Sequence, residues 1–442
     1  MSFPRYPDYA ESGAGWLGYI PKHWGCELGR RLFAQSRLPA QPDDLQLSAT
    51  QKYGVIPQQM FMELEDQKVV LALTGLDNFK HVEVDDFVIS LRSFQGGIER
   101  CRYSGCVSPA YTVLNARHQV DPAFMEYLLK APPFIAALQS VTDGIREGKS
   151  ISYEQFGSVH LPIPSIEEQS SIAAFLTDET AKIDALVAEQ EQLITLLKEK
   201  RQAVISHAVT KGLDPSVPMK DSGVEWLGEV PAHWAIAALN YRYEVLLGKM
   251  LDEKRILGNH LAPYLRNVDV QWDRINIDDL PQMDFDGSDV ERYGLRAGDL
   301  LVCEGGDVGR SALWQGQLTE CYYQKALHRL RPRDDSSDLP RFQFYLMQAA
   351  AKLDVFTGGQ GKATIFHLTA EALRRYRFAY PGRAEQERIA EHLDRAVSKF
   401  DELINEATKA TQLLQERRSA LISAAVTGQI DVRRLVIERA AA

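Results

Sequence analysis

A stretch rich in Ala, Leu, Glu and Gln runs from Glu167 to Gly212 and occurs a second time from Ala384 onward. A shift of 217 (385 minus 168) lays Glu168-Gln169 on Glu385-Gln386, Ile172-Ala173 on Ile389-Ala390, Asp184 on Asp401 and Leu196-Leu197 on Leu413-Leu414. Ala-Val-Ile-Ser-His-Ala-Val-Thr at 203–210 answers Ala-Leu-Ile-Ser-Ala-Ala-Val-Thr at 420–427. Such a self-match states the architecture before any local reading does. Neither copy has Pro or Gly in its interior, and apolar residues recur at spacings of three and four, so each copy is expected to be one long helix. The second copy carries its stripe on Ile389, Leu393, Ala396, Phe400, Leu403, Ala407, Ala410, Leu414, Leu421 and Ala424. The first carries it on Ile172, Leu176, Ile183, Leu186, Leu193, Leu197 and Val204. Roughly 40 helical residues make a rod of about 60 Å that cannot bury a stripe alone. The economical arrangement is an antiparallel coiled coil of the two copies; the alternative is two separate helices, each lying on its own domain.

A second repeat begins near the N-terminus. Glu11-Ser-Gly-Ala-Gly-Trp16-Leu-Gly-Tyr-Ile-Pro21-Lys-His-Trp24 is matched by Asp221-Ser-Gly-Val-Glu-Trp226-Leu-Gly-Glu-Val-Pro231-Ala-His-Trp234, a shift of 210 (221 minus 11). One reading of these aromatics is a ligand or partner surface. The favoured reading is a packed lead-in segment that seats each domain on the helix before it. The order becomes lead-in, domain, helix, lead-in, domain, helix, a ring cut once, and an approximate internal two-fold axis is expected.

The 442 residues contain no long hydrophobic run and no charged-then-apolar leader, so a cytoplasmic protein of two or three domains is expected. The five cysteines are odd in number and form no Cys-x-x-Cys pair, which suits ordinary thiols of a reduced compartment rather than a metal site. A net charge of −10 argues against indiscriminate coating of nucleic acid and leaves room for local basic surfaces.

Between the markers lie two regions of about 25–165 and 235–382, each large enough for its own core. Short β-branched runs such as Phe87-Val-Ile-Ser, Tyr111-Thr-Val-Leu, Asn276-Ile and Leu300-Leu-Val read as strands. One helical segment is expected in each, at Pro122 to Leu138 and Phe342 to Leu353, so the fold class is α+β. Weak repeats join the regions: Asp86-Phe-Val-Ile with Asp299-Leu-Leu-Val, Gly96 with Gly309, and Gly148-Lys149 with Gly361-Lys362.

Three catalytic patterns fail. Asp143-Gly-Ile-Arg-Glu-Gly-Lys-Ser150 nearly spells a phosphate-cradling loop, but Asp143 holds its first glycine position; the second copy has Phe356 there and Ala363 in place of the hydroxyl residue. A glycine-rich loop presenting a lysine suits a DNA phosphate or base edge instead, with a plain surface turn as the alternative. Ala131-Pro-Pro-Phe134 resembles the Asp/Asn-Pro-Pro-Tyr/Phe loop of amino methyltransferases but lacks the side-chain oxygen that accepts from the amine. Pro132-Pro133 is read as a break within or after a helix. No serine, cysteine or zinc constellation has the spacing that hydrolysis needs.

Taken together, the motifs resemble the specificity subunit of type I restriction-modification enzymes. The shared signatures are Trp-Leu-Gly-x-x-Pro-x-His-Trp, the Glu-Gln-x-x-Ile-Ala helix start and the Ala-Val-Thr-Gly-like helix end, with Lys52-Tyr-Gly-Val-Ile-Pro-Gln58 and Tyr264-Leu-Arg-Asn-Val-Asp269 inside the domains. The second helix end departs from the repeat, with Gly428-Gln429 in place of Lys211-Gly212, a change expected to matter little. The resemblance implies a non-catalytic chain with two target recognition domains, each reading half of a bipartite double-stranded DNA sequence. The helices between them would set the spacer and dock the methyltransferase subunits. It divides the chain into 1–165, first recognition domain with its lead-in; 166–212, first long helix; 213–382, second recognition domain with its lead-in; and 383–442, second long helix and tail. It also implies two modification subunits that hold S-adenosylmethionine, and restriction or translocase subunits that use ATP and Mg; no cofactor is expected in this chain. Candidate DNA contacts are Tyr53, Gln58, Arg92, Ser93, Arg146 and Lys149 in the first domain and Arg266, Asn267, Arg310, Gln360 and Lys362 in the second, because their donors and acceptors match base edges or phosphates. The rival reading is a coiled-coil scaffold that joins partner proteins without touching DNA.

Overall fold

The first long helix spans Ile166–Lys211 and the second Arg383–Val426. The computed structural model describes residues 3–65, 78–91, 97–141, 151–250, 258–357 and 367–433. The chain divides into two compact units, one of residues 1–191 with 409–442 and the other of 192–408, so each unit holds a piece of both long helices. In the first unit Leu176, Ile183 and Val187 pack in one core with Leu414, Leu421 and Ala425, and Asp184 pairs with Arg418 at 2.7 Å. In the second, Val204 and Ala208 share a core with Leu393 and Val397, and Arg201 pairs with Asp401 at 2.9 Å. Asp184 and Asp401 are repeat partners, as are Arg201 and Arg418, so each unit makes the same ion pair with the roles of the helices exchanged. The helices are antiparallel, as the stripes led one to expect. The stripe itself is corrected in places: Leu186, Leu193 and Leu403 are exposed, and the sheltered positions are Val187, Ile194 and Ile404. Leucines occupy two adjacent faces here, and spacing alone does not say which face is covered.

Both units are built on one frame. In the first, an antiparallel sheet runs in the order Phe33–Ser36, Thr112–Ala116, Phe87–Ile89, Ile98–Arg100. In the second the order is Tyr243–Leu247, Leu327–Pro332, Leu300–Cys303, Ser311–Leu313, again antiparallel. Side chains alternate across these strands and feed two cores. Phe87, Ile89 and Leu114 face the helical core while Val88 and Val113 join a smaller outer one. Likewise Leu300 and Val302 face helices, and Leu301 and Cys303 face outward. Cys101 belongs to the outer core of the first unit and Cys303 and Cys321 to that of the second, where they pack as small apolar groups. Asp86 and Asp299, matched in sequence, have matched work: each is buried and accepts from the backbone N–H three residues earlier, of Glu83 and of Arg296. Each then accepts from the neighbouring strand, Asp86 from Asn115 and Asp299 from Arg331.

Two expectations inside the domains are revised. The segment at Pro122 to Leu138 is two helices, Pro122–Lys130 and Pro132–Ser140, because Ala131 precedes Pro132 and is held extended with ψ 134. The second unit, lacking that proline pair, has a single helix at the matching place, Pro340–Lys352. Asn276-Ile277 follows the strand Arg274–Ile275 rather than forming one.

The lead-in segments are packed seats. Tyr9–Glu11 pairs with Tyr19–Pro21, and Met219–Asp221 with Glu229–Pro231. His23 Nε2 meets Glu168 Oε2 at 2.9 Å, and His233 Nε2 meets Glu385 Oε2 at 2.8 Å, which accounts for the Glu of the repeated Glu-Gln. The Gln caps the neighbouring helix: the N–H of Asp121 donates to Gln169 Oε1 at 2.9 Å, and that of Leu339 to Gln386 Oε1 at 2.8 Å. Each seat also holds the end of the other long helix, with Gly428 against Pro21 and Trp24 and Gly212 against Pro231 and Trp234. The expected seating on the preceding helix is thus widened to the start of one long helix and the end of the other. Lys211 Nζ donates to the carbonyl of Glu229, and Gln429 Nε2 donates to that of Tyr19, the matching residue. Lys-Gly and Gly-Gln therefore exchange order and keep both functions.

Candidate nucleic-acid interface

Of the sequence-derived contacts, Arg92, Ser93, Arg146, Lys149, Gln360 and Lys362 lie outside the described residues. Tyr53 donates its hydroxyl to Glu65 at 2.8 Å, and Lys52, ion-paired to the same carboxylate, lies 4.7 Å from the Tyr53 ring centre. Gln58 opens the surface helix Gln58–Glu65, and its backbone N–H donates to Gln46. These residues form one arm of the first unit beside the hairpin Leu47–Thr50 with Gly54–Pro57.

In the second unit the structure brings Asn267 and Arg310 together. Arg310 Nη2 donates to the Asn267 carbonyl at 2.9 Å and to its Oδ1 at 2.8 Å. With its oxygen so held, the Asn267 amide nitrogen donates to the carbonyls of Gly305 and Ala326, at 3.2 and 3.3 Å. Arg266 is a neighbour in sequence but forks onto Asp269, Nε and Nη2 lying 2.9 and 2.8 Å from its oxygens. These donors brace backbone from three separate stretches, a role that spacing in sequence does not show.

What they brace is the wall of an open cavity of about 840 Å³ lined by Met250, Asn267, Val268, Glu304, Gly305, Gly306, Gln324, Lys325, Ala326 and His367. It stands at the Cys303 end of the central strand Leu300–Cys303. The wall is fastened from below by His328, whose Nε2–H donates to the Leu368 carbonyl at 2.6 Å; burial pushes its pKa down, so the ring is neutral. Leu368 in turn donates its N–H to Glu304 at 2.7 Å. Burial likewise pushes the Cys303 thiol up and keeps it protonated. The cavity presents a carboxylate, a carboxamide, an ammonium, an imidazole and the exposed side chain of Val268 on a hydrogen-bonded floor. Such a mixture can match hydrogen-bonding and methyl-bearing base edges, with the lysine available to a phosphate. Sequence reasoning named Asn267 and Arg310 but missed Gln324 and Lys325; aligning the strand Leu327–Pro332 on Thr112–Ala116 would have placed both in the turn that opens it.

Known proteins resemble this chain in sequence and in fold. The type I restriction modification DNA specificity domain matches residues 274–413. The specificity subunit of the type I restriction enzyme MjaVIII of Methanocaldococcus jannaschii is 22% identical over 348 residues, covering 75% of this chain and 76% of that one. The EcoKI specificity subunit of Escherichia coli K12 is 26% identical over 192 residues, 43% of this chain and 39% of its own length. Among solved structures, a chain of a type I R-M system superposes with a TM-score of 0.73 at 15% identity, covering 92% of this chain and 98% of that one. The HsdS subunit from Thermoanaerobacter tengcongensis gives 0.57 at 16%, with the same coverage. The chain therefore shares its fold with these solved structures. The resemblance to the specificity subunits of type I restriction-modification enzymes, carried by the paired repeats, is borne out.

Proposed function

We propose that this chain is the sequence-specific DNA recognition subunit of a cytoplasmic type I restriction-modification complex. Each unit reads one half of a bipartite target, while the long helices set the spacer and dock two methyltransferase subunits. The observation that carries the reading is the doubled frame: the same sheet, seat and ion pair recur while the outer parts differ. The first unit adds a hairpin and a surface helix, and the second adds the strands Leu261–Leu265 and Gln282–Asp284 and the cavity. Constant frames with differing surfaces suit two readers of different half-sites. Two docking places are supported by exposed leucines on both helices within each unit, Leu186 and Leu413 in the first and Leu196 and Leu403 in the second. S-adenosylmethionine would bind on the modification subunits and ATP with Mg on a restriction subunit, leaving recognition to this chain. Among the described residues no helix is long and apolar enough to cross a membrane.

The test is replacement of residues 25–165 by the matching region of a relative, in cells carrying the modification subunits, with methylated adenines mapped by sequencing. One half of the methylated motif should change and the other stay. Binding of the assembled complex should weaken as salt rises, since phosphate contacts release counterions. A swap that altered both halves, or a complex that bound no DNA, would reject the reading in favour of a scaffold.

A further inference from the structure

We infer that the turn running from Gln324 to Leu327 is the base-reading element of the second unit, with Gln324 serving an adenine edge and Lys325 the adjacent phosphate. This rests on the DNA-binding role proposed above. The first observation is backbone strain. Ala326 sits at φ +86, whereas the other described non-glycine residues at positive φ are all aspartates, Asp85, Asp273, Asp279 and Asp354. Aspartate tolerates the left-handed region through local hydrogen bonding of its short polar side chain. Alanine has no such relief, and a type II turn ordinarily takes glycine at that place.

The second observation is that the surroundings over-determine the turn. The Leu327 N–H closes it on the Gln324 carbonyl at 3.2 Å, and the Ala326 carbonyl accepts from the Glu304 N–H at 2.9 Å and from the Asn267 amide at 3.3 Å. Lys249 clamps it through two backbone bonds, its N–H to Tyr323 at 3.1 Å and its carbonyl from Lys325 at 2.7 Å. Beneath lies Gly248, where an added Cβ would stand 2.2 Å from the Gln324 carbonyl oxygen. Strain that is held this firmly is characteristic of sites where a ligand must meet a fixed surface.

The third observation comes from the first unit. There Tyr111 N–H closes the corresponding turn on Ser108 at 3.0 Å, with Pro109 and Ala110 between them, and Ala110 is not at positive φ. The position of the turn is kept, while its side chains and backbone form are changed. A turn required only to join strands has no need of strain in one unit and none in the other.

The chemistry follows from the side chains. Gln324 and Lys325 line the cavity, and neither side chain has a hydrogen bond or ion pair among the described residues. A carboxamide offers a donor and an acceptor in one plane, the pair that adenine presents at N7 and N6 in the major groove. An ammonium is a point charge that any phosphate satisfies.

The test uses the complete chain with its modification subunits, as wild type, Gln324→Ala, Gln324→Glu and Lys325→Ala. Methylated motifs are mapped genome-wide, and DNA binding is titrated at several salt concentrations. Gln324→Ala should relax one position of one half-site, with an about tenfold or greater loss of base preference there, and Gln324→Glu should move that position toward cytosine. Lys325→Ala should keep the motif, weaken binding to all sequences alike and reduce the salt slope by about 1. An unchanged motif in Gln324→Ala, or loss of both halves at an unchanged melting temperature, overturns the assignment. Failure of the underlying reading is distinguishable, because the wild-type chain would then confer no methylated motif at all.

Discussion

His81, only 5% exposed, stands between two carboxylates, with Nδ1 2.9 Å from Asp44 and Nε2 3.0 Å from Glu83. Burial opposes its charge, but the hydrogen bonds it donates to Glu83 and Asp44 outweigh that and raise its pKa. Because the folded value lies above the unfolded one, its stabilisation is fully present below pH about 6.5 and is lost as pH rises through the raised value. His81→Asn should therefore melt well below wild type at pH 6 and approach it at pH 9. A gap that did not narrow would show that the charged ring is not the source. Residues of this kind are hard to read from sequence, since Asp44 and His81 meet only after the chain has folded. Arg266, Asn267 and Arg310 all read as DNA contacts, because nothing in the sequence announces that Arg266 forks onto Asp269 or that the other two brace backbone carbonyls.

Both long helices end on glycine at positive φ, Gly212 at +76 and Gly428 at +74, as left-handed caps require. The two ends differ in crowding: an added Cβ at Gly212 comes no nearer than 3.4 Å to Trp234, but at Gly428 it would stand 2.3 Å from Pro21 Cδ. Gly212→Ala should cost about 1 kcal/mol from the backbone alone. Gly428→Ala should cost more, on the order of 2–4 kcal/mol, because the proline ring must also move. Thermal melting of the two variants checks the order, and equal losses would mean that Pro21 yields freely. Helix existence and both glycine stops were legible in the sequence. The covered face was not, because Leu186 and Val187, or Leu403 and Ile404, fit the same period one step apart. Pro132 marked a break correctly, and the structure adds that a second helix starts there at once.

At the scale of the molecule, the ring order of lead-in, domain and helix was legible from two repeats with shifts of 217 and 210, and both units follow it. The outer strands and the cavity were not, because the units share no sequence there to compare, and the turn at Gln324 emerges only once the strand Leu327–Pro332 is laid on Thr112–Ala116. If the helices measure the gap between half-sites, a heptad added after Leu197 together with one added after Ile404 keeps the stripe facing inward and lengthens the pair by about 10 Å. At about 3.4 Å per base pair, the spacer should grow by up to three base pairs with both half-sites unchanged. Methylation mapping in cells carrying the insertion reads the answer directly. Retention of the original spacing by an active variant would assign the measurement to something other than the helices.

The second unit is one continuous run, 192–408, whereas the first is closed by residues 409–433 from the far end of the chain. Leu421, Ile422, Ala425 and Val426 belong to the first unit's core, and Gly428 lies under Pro21. During synthesis, therefore, the part made first is finished last: the second unit has all its residues while the first still shows the ribosome an open apolar seam. A chain cut short after residue 408 would keep one half intact and leave the other without its closing strip. Such a chain should be aggregation-prone through its beginning rather than its end.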